Sequence, residues 1–206
     1  MRPDFSKLSS IYDALGSVAF CGALRRSQNY FLGELPRVEN VLILGGGTGT
    51  FLVDLLKTGK VSSVDYVDVS PGMISRAKKK VRKAGFEECV NFVCGTEDDL
   101  PDKKYDLICT NYFLDCFNDV ELSSVLIKIK ERLIGEGLLL CTDFYLNEKS
   151  SFQKKGLVKF LYLFFRTTCG LKVQQLPDFD DKLKIMKTEN EKFFFFGLLR
   201  AALYRN

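Results

Sequence analysis

The sequence predicts an α/β protein: a mostly parallel sheet with helices on both faces, closed by an antiparallel hairpin at its C-terminal end. Three observations carry this. Apolar strand-like runs and helical patterns alternate five times, which is the signature of a parallel sheet with crossover helices. The first run, Val41-Leu42-Ile43-Leu44, feeds Gly45-Gly46-Gly47-Thr48-Gly49-Thr50 and then an apolar helical pattern at Phe51, Leu52, Leu55 and Leu56. Two late strand-like runs, 182–188 and 192–204, flank the short Glu189-Asn190-Glu191, a spacing that makes an antiparallel hairpin.

Composition sets the bounds. With 206 residues, 46% of them hydrophobic, the chain can bury a real core and reads as one domain over 1–206. Within it, 1–36 is an N-terminal helical segment and 150–172 an apolar helix that is a candidate lid. The net charge of +4 is too small to argue for a nucleic-acid partner. Seven cysteines without a CxxC pair suggest reduced thiols and a cytoplasmic protein. The absence of histidine excludes Ser-His and Cys-His mechanisms and any His-containing metal site within this chain, and no metal is expected. The N-terminus lacks a signal-peptide core, and no apolar stretch is long enough to span a bilayer.

In order along the chain, Ile11, Leu15, Val18 and Ala19 repeat at helical spacing, with Tyr12-Asp13 on that helix; Pro36 ends the segment. The glycine loop comes next. Glycine lets backbone approach a ligand closely, and the following helix N-terminus offers free N–H groups and the positive end of its dipole. Gly59 suits the helix stop. The strand-like 61–69 ends in Asp68-Val69-Ser70-Pro71-Gly72-Met73. An acid ~20 residues beyond a glycine loop, at the tip of the second strand, can accept hydrogen bonds from ribose hydroxyls. Ser70 caps the next helix and Pro71 suits its first turn. Met73, Ile74, Ala77 and Val81 form its inner stripe, while Lys78-Lys79-Lys80-Val81-Arg82-Lys83 reads as a solvated outer face.

Cys89–Cys94 is a third strand, ending in Gly95-Thr96-Glu97-Asp98-Asp99-Leu100-Pro101. Tyr105–Asn111 is a fourth, buried on both faces. Asn118-Asp119 opens a helix with Leu122, Val125, Leu126, Ile129 and Leu133 on one side, closed by Gly135. Gly137–Phe144 is the fifth strand. From Leu157 to Phe165 the pattern is apolar almost all round, interrupted only by Lys159, which fits a buried helix, a lid over a pocket or a membrane face. The window Phe193–Phe196 is aggregation-prone and is expected to be covered.

Together these features resemble the class I S-adenosylmethionine-dependent methyltransferases, over nearly the whole chain. Four local matches fall in the family's order: Leu44–Gly49, Asp68–Met73, Gly95–Pro101 and Tyr105–Ile108. The resemblance implies a Rossmann-like seven-stranded sheet whose last strand is inserted antiparallel, and S-adenosylmethionine as cofactor. It implies that Gly45, Gly46, Gly47, Thr48 and Gly49 cradle the cofactor. Asp68 would hold the ribose, Val69 and Met73 would pack near the adenine, and Thr96 and Glu97 would meet its amino group. Asn111 and Tyr112, at the end of the fourth strand, would complete the set. Two positions depart from the family pattern: Ile43 stands where many members carry an acid, and Thr96 where many carry Asp. They leave a non-catalytic scaffold open as the alternative. A nicotinamide-dependent oxidoreductase fits less well, because Thr50 occupies the third glycine position of Gly-x-Gly-x-x-Gly.

A looser similarity, carried by Tyr12-Asp13 and the greasy segment after the fifth strand, is to the ubiquinone/menaquinone-biosynthesis methyltransferases. It implies a small hydrophobic or aromatic acceptor, quinone- or lipid-like; peripheral membrane contact is a reading the apolar pattern of 157–165 leaves open. Asn111-Tyr112-Phe113-Leu114 lacks the Asn/Asp-Pro-Pro-aromatic motif of enzymes that methylate nucleobase nitrogens, which argues against nucleic acid. Because an activated methyl needs alignment more than acid–base help, the protein's main task is positioning. Where a base is needed, Asp115 and Asp143 are the candidates, and Tyr12, Tyr112 and Tyr145 can shape the pocket.

Overall fold

The computed structural model describes residues 20–100, 102–148, 150–170 and 173–206. The first part of the helical segment expected over 1–36, with Tyr12 and Asp13, lies outside them, as does Pro101. Helix α1 (Ala23–Asn29) leads through a 3-10 turn into strand β1 (Val38–Leu44). Then follow α2 (Thr50–Leu56), β2 (Val61–Asp68), α3 (Pro71–Ala84), β3 (Val90–Cys94) and β4 (Tyr105–Asn111). The second half comprises α4 (Asp119–Arg132), β5 (Leu133–Phe144), α5 (Phe152–Cys169), the short α6 (Phe179–Lys182), β6 (Lys187–Phe194) and β7 (Leu199–Arg205).

The seven strands lie in the order β3-β2-β1-β4-β5-β7-β6. Strands β1 to β5 pair in parallel; β7 runs antiparallel to both β5 and β6. The chain therefore reverses its direction of travel across the sheet between β1 and β4, and a crevice opens outside their carboxyl ends. Ligands of open α/β sheets bind at that switch point.

Period-two alternation divides the core. Val41 and Ile43 of β1 face Leu52 and Leu55 of α2 and Ile74, Ala77 and Val81 of α3. Leu42 and Leu44 face Leu122, Val125, Leu126 and Ile129 of α4. The caps act where the sequence puts them. Ser70 accepts from the Met73 N–H, and Asn118 forms a capping box with Glu121, each such cap stabilising its helix by about 1 kcal/mol.

Four expectations need correction. Helix α4 ends at Arg132, and Gly135 lies inside β5 rather than closing the helix, because Leu133 already pairs with Tyr105. The hairpin turn is not Glu189-Asn190-Glu191. Those residues run within β6 past a register irregularity, and the reversal falls at Phe195–Gly197, all three at positive φ (47°, 56° and 80°). Lys182–Ile185 is helical, not strand. Phe196 at that reversal is 87% exposed and Phe193 40%, so the window expected to be covered is open at its tip. Strand β6 is the sheet edge and carries Lys187, Glu189, Glu191 and Lys192, charges that disfavour edge-to-edge pairing. No helix among the described residues is long and apolar enough to cross a membrane.

Candidate active site

The glycine loop between β1 and α2 is shaped by what lies beneath it. A Cβ on Gly46 would stand 2.2 Å from the Tyr66 ring, so only glycine fits there. The Tyr66 hydroxyl donates to the Gly47 carbonyl at 2.8 Å. Asp68, at the end of β2, accepts from the Gly47 N–H through Oδ2 and from the Ser70 N–H through Oδ1, both at 2.8 Å. One carboxylate thus ties the loop to the N-terminus of α3. Burial pushes its carboxyl above the ordinary range, and the two N–H donors pull it back. Lys80 is not simply solvated. Its ammonium reaches over the loop and donates to Thr48 Oγ1 at 2.9 Å and Thr50 Oγ1 at 2.6 Å.

The loop opens on a cavity of about 490 Å³ at the carboxyl ends of β1, β2 and β4, within the range of small-molecule and cofactor sites. Gly45, Gly46, Gly47, Thr48, Asp68, Val69, Met73, Thr96, Glu97, Asn111 and Tyr112 all line it. Asn111 is the residue whose chemistry is unfinished: both Oδ1 and Nδ2 are buried without a hydrogen-bond partner in the protein. A side-chain amide left so costs about 1–3 kcal/mol unless something fills the space. Tyr112 sits at φ 53°, its ring tilted at 56° against Phe144 with centroids 5.5 Å apart, its hydroxyl 2.8 Å from Ser27 Oγ of α1. Thr96 is engaged in its own turn: its N–H and hydroxyl donate to Asp99 Oδ2, and its Oγ1 accepts from the Asp98 N–H.

Other expected residues fall elsewhere. Gly49 does not line the cavity. It caps α2 at φ 79°, and a Cβ there would stand 2.7 Å from Ala77 Cβ, so its smallness serves the packing of α2 on α3. Asp115 and Asp143 lie behind the wall rather than on it. Asp143 accepts from the Leu114, Asp115 and Phe144 N–H groups and so folds the 3-10 turn after β4. Burial, with the neighbouring carboxylate, holds Asp143 well above the usual carboxylate range; burial pushes Asp115 up to about 6. Tyr162 of α5 donates to the Asp115 carbonyl at 2.8 Å. Tyr145 does not line the cavity; its hydroxyl donates to Asp180 and the Arg200 guanidinium lies over its ring. Among the described residues none of α5 lines the cavity; Val173, beyond the helix, does.

Sequence reasoning missed several members. Phe113, Cys116 and Phe117 follow β4 and were legible from that position, since loops at strand carboxyl ends line such sites. Gln28, Ser124 and Lys128 reach the cavity from α1 and α4, and nothing in local pattern marks them. Lys128 is ion-paired with Asp98. Among the described residues no group of three or more metal-ligating side chains gathers.

The glycine loop, the acid at the tip of β2 and the antiparallel β7 define a Rossmann-like methyltransferase fold. The comparisons with known proteins agree: residues 41–137, just under half of the chain, match the profile of a family described as "Methyltransferase domain". The chain is 32% identical over 149 residues to a malonyl-[acyl-carrier protein] O-methyltransferase of Priestia megaterium, an alignment covering 70% of this chain and 51% of that protein. It is 38% identical over 120 residues to a malonyl-[acyl-carrier protein] O-methyltransferase of Ilyobacter polytropus, covering 58% and 43%. The chain spans about half the length of these curated relatives. Among solved structures, a DhpI–SAM–HEP complex superposes with a TM-score of 0.71 at 17% identity, covering 98% of this chain and 94% of that one. An O-methyltransferase family protein from Burkholderia thailandensis superposes at 0.72 with 17% identity, covering 89% and 57%. At those identities the likeness is one of fold.

Proposed function

We propose that this chain transfers a methyl group from S-adenosylmethionine to a small, apolar or aromatic acceptor. The observation that carries the reading is the cavity itself. It joins the glycine loop, Asp68, Glu97 and the unpartnered Asn111 amide at one switch point of the sheet. The donor set suits the cofactor: glycine backbone for its amino-acid end, a carboxylate for ribose hydroxyls, and Met73 with Val69 for the adenine face. Asn111, at the tip of β4, offers a donor and an acceptor, the pair an amino-acid head group needs. Thr96, committed to Asp98 and Asp99, shapes the adenine end through its turn, which leaves Glu97 as the polar partner there.

When bound, the sulfonium supplies a methyl group already activated for transfer. The chain's own residues then position and exclude water. Tyr112, Phe113 and Phe117 make an aromatic wall, and Gln28, Cys116 and Val173 extend it toward α1. Lys128, the cation lining the cavity among the described residues, is already paired with Asp98. That wall favours an apolar or aromatic acceptor over a carboxylate that would need a counter-charge. The Asp115–Asp143 pair acts in this reading as a positioning device that holds the turn carrying Phe113 and Cys116.

Isothermal titration with S-adenosylmethionine and S-adenosylhomocysteine tests the cofactor assignment; no heat with either ligand overturns it. Methyl transfer is then measured with labelled cofactor against phenols, hydroquinones and a malonyl-carrier thioester. Turnover of the thioester alone overturns the acceptor class. Binding without transfer to any acceptor favours the scaffold reading.

A further inference from the structure

Helix α5 presents three distinct faces. Val158 and Tyr162, one turn apart, are buried against Phe20, Phe144 and Leu199. Phe152, Phe160 and Leu163 lie on the opposite side and are 90%, 63% and 56% exposed. At 3.6 residues per turn these three share one ridge, and Lys155, Lys159 and Arg166 fall in a row along its border. The helix contains no acid at all. Among the described residues neither Lys159 nor Arg166 has an acidic partner, and Lys155 reaches only the Glu148 carbonyl. Beside the helix stands the Phe195–Gly197 turn, where a Cβ on Gly197 would meet Lys154 Nζ at 3.5 Å. Its Phe196, held at positive φ, is 87% exposed.

Leaving large apolar side chains in water gives up burial free energy, and an aromatic in a left-handed turn adds backbone strain. A ridge of this kind signals a surface with an occupant. The arrangement has the physical form of an interfacial helix, with an apolar ridge to enter the acyl boundary and cations at its edge to meet phosphate. Charge complementarity sets the sign of the surface: an acid-free helix bearing Lys154, Lys155, Lys159 and Arg166 is attracted to anionic headgroups. The helix is 18 residues long and not apolar enough to cross a bilayer, which leaves the bilayer surface as its mode of contact with lipid.

We propose that α5 docks this protein on an anionic lipid bilayer, with Phe152, Phe160 and Leu163 inserted and Lys155, Lys159 and Arg166 against lipid phosphates. This goes beyond the methyl-transfer reading and does not depend on it. The opposite, buried face of α5 connects it to the site: Tyr162 holds the Asp115 carbonyl, and Val173, just past the helix, lines the cavity.

The test is flotation of the full chain with vesicles of phosphatidylcholine alone and of phosphatidylcholine with phosphatidylserine, at low and at ~0.5 M salt. Wild type is expected to float with the anionic vesicles and to release in high salt. Lys159→Gln with Arg166→Gln is expected to weaken partitioning roughly 20- to 30-fold, and Phe160→Ser with Leu163→Ser at least as much. Each variant's S-adenosylhomocysteine affinity and melting temperature report whether it is folded, and both are expected to stay at wild-type values. Partitioning that is the same on neutral vesicles, or unchanged in both double variants, overturns the proposal. So does no vesicle binding together with self-association, or with binding to an acidic carrier protein, that the same variants abolish.

Discussion

Asp68→Ala is the most informative substitution, because one carboxylate is asked to do two jobs. In the ligand-free protein its two oxygens accept from the Gly47 and Ser70 N–H groups. Removing it strands two buried donors at about 1–3 kcal/mol each, offset in part by no longer burying a charge. A net loss of about 2 kcal/mol is expected, which in a chain of 206 residues lowers the melting temperature by roughly 4–8 °C. In the complex the same carboxylate is assigned two ribose hydroxyls. Charge-assisted bonds of this kind contribute about 1.5–3 kcal/mol, so about 3 kcal/mol for the pair, or roughly 150-fold in Kd. Titration calorimetry with S-adenosylhomocysteine, on protein well below its melting point, reads the second number. Two controls separate ribose recognition from mere loosening of the loop. Tyr66→Phe removes the hydroxyl that holds the Gly47 carbonyl but leaves the carboxylate, and is expected to weaken binding only several-fold. Asp115→Ala lies off the cavity and is expected to change Kd less than ~3-fold. If Tyr66→Phe or Asp115→Ala lowers affinity as much as Asp68→Ala does, the ribose assignment fails.

Three further outcomes follow from the geometry. Asn111→Ala removes a buried amide with no partner, so urea unfolding is expected to show unchanged or slightly raised stability while S-adenosylhomocysteine affinity falls about tenfold; a stability loss above ~1 kcal/mol with intact binding would refute the assignment. Gly49→Ala forces a Cβ to within 2.7 Å of Ala77 Cβ at φ 79°, so a loss of about 2 kcal/mol or more is expected, with the folded fraction binding ligand within ~3-fold of wild type. Asp115 has its folded pKa raised to about 6 by burial, above its unfolded value of about 3.9. The native state therefore holds this proton more tightly than the unfolded chain, so the group's contribution is fully present below about pH 4 and is lost as pH rises through about 6. The neighbouring Asp143, raised in the same direction, extends that decline upward. Asp115→Asn should flatten this part of the profile and raise stability at pH 8 by about 1–2 kcal/mol; a decline between pH 4 and 8 as steep as in wild type would count against burial of the Asp115 carboxyl as its cause.

The sheet and the glycine-loop end of the cavity were legible in the sequence because both are written in local signals. Alternating periods of two and 3.6 residues mark strands and helices. Glycine before a helix, and an acid at the tip of the next strand, follow from what backbone and ribose chemistry require. That is why Gly45, Gly46, Gly47, Asp68, Val69 and Met73 could be named and then met in one cavity. Signals of composition were less reliable where backbone pairing made the choice. Glu189-Asn190-Glu191 has turn chemistry, yet β7 pairs with it as strand, and two phenylalanines and Gly197 accept the left-handed reversal instead. Gly135 has helix-stop chemistry, yet β4 draws its neighbour Leu133 into the sheet.

By itself, then, the sequence determined the order of elements, the glycine loop and the identity of the acid that serves it, since each depends on residues close together in the chain. Only the tertiary structure decided what side chains remote from the loop do. Tyr66 proved to be its floor, Lys80 its clamp, Gly49 a packing glycine, and Asp143 the anchor of the turn behind the wall. It also decided that the apolar stretch after β5 buries one face and leaves Phe152, Phe160 and Leu163 in solvent. Hydropathy along a chain measures how apolar a segment is; which side meets the core depends on the shape of the surface it lands on.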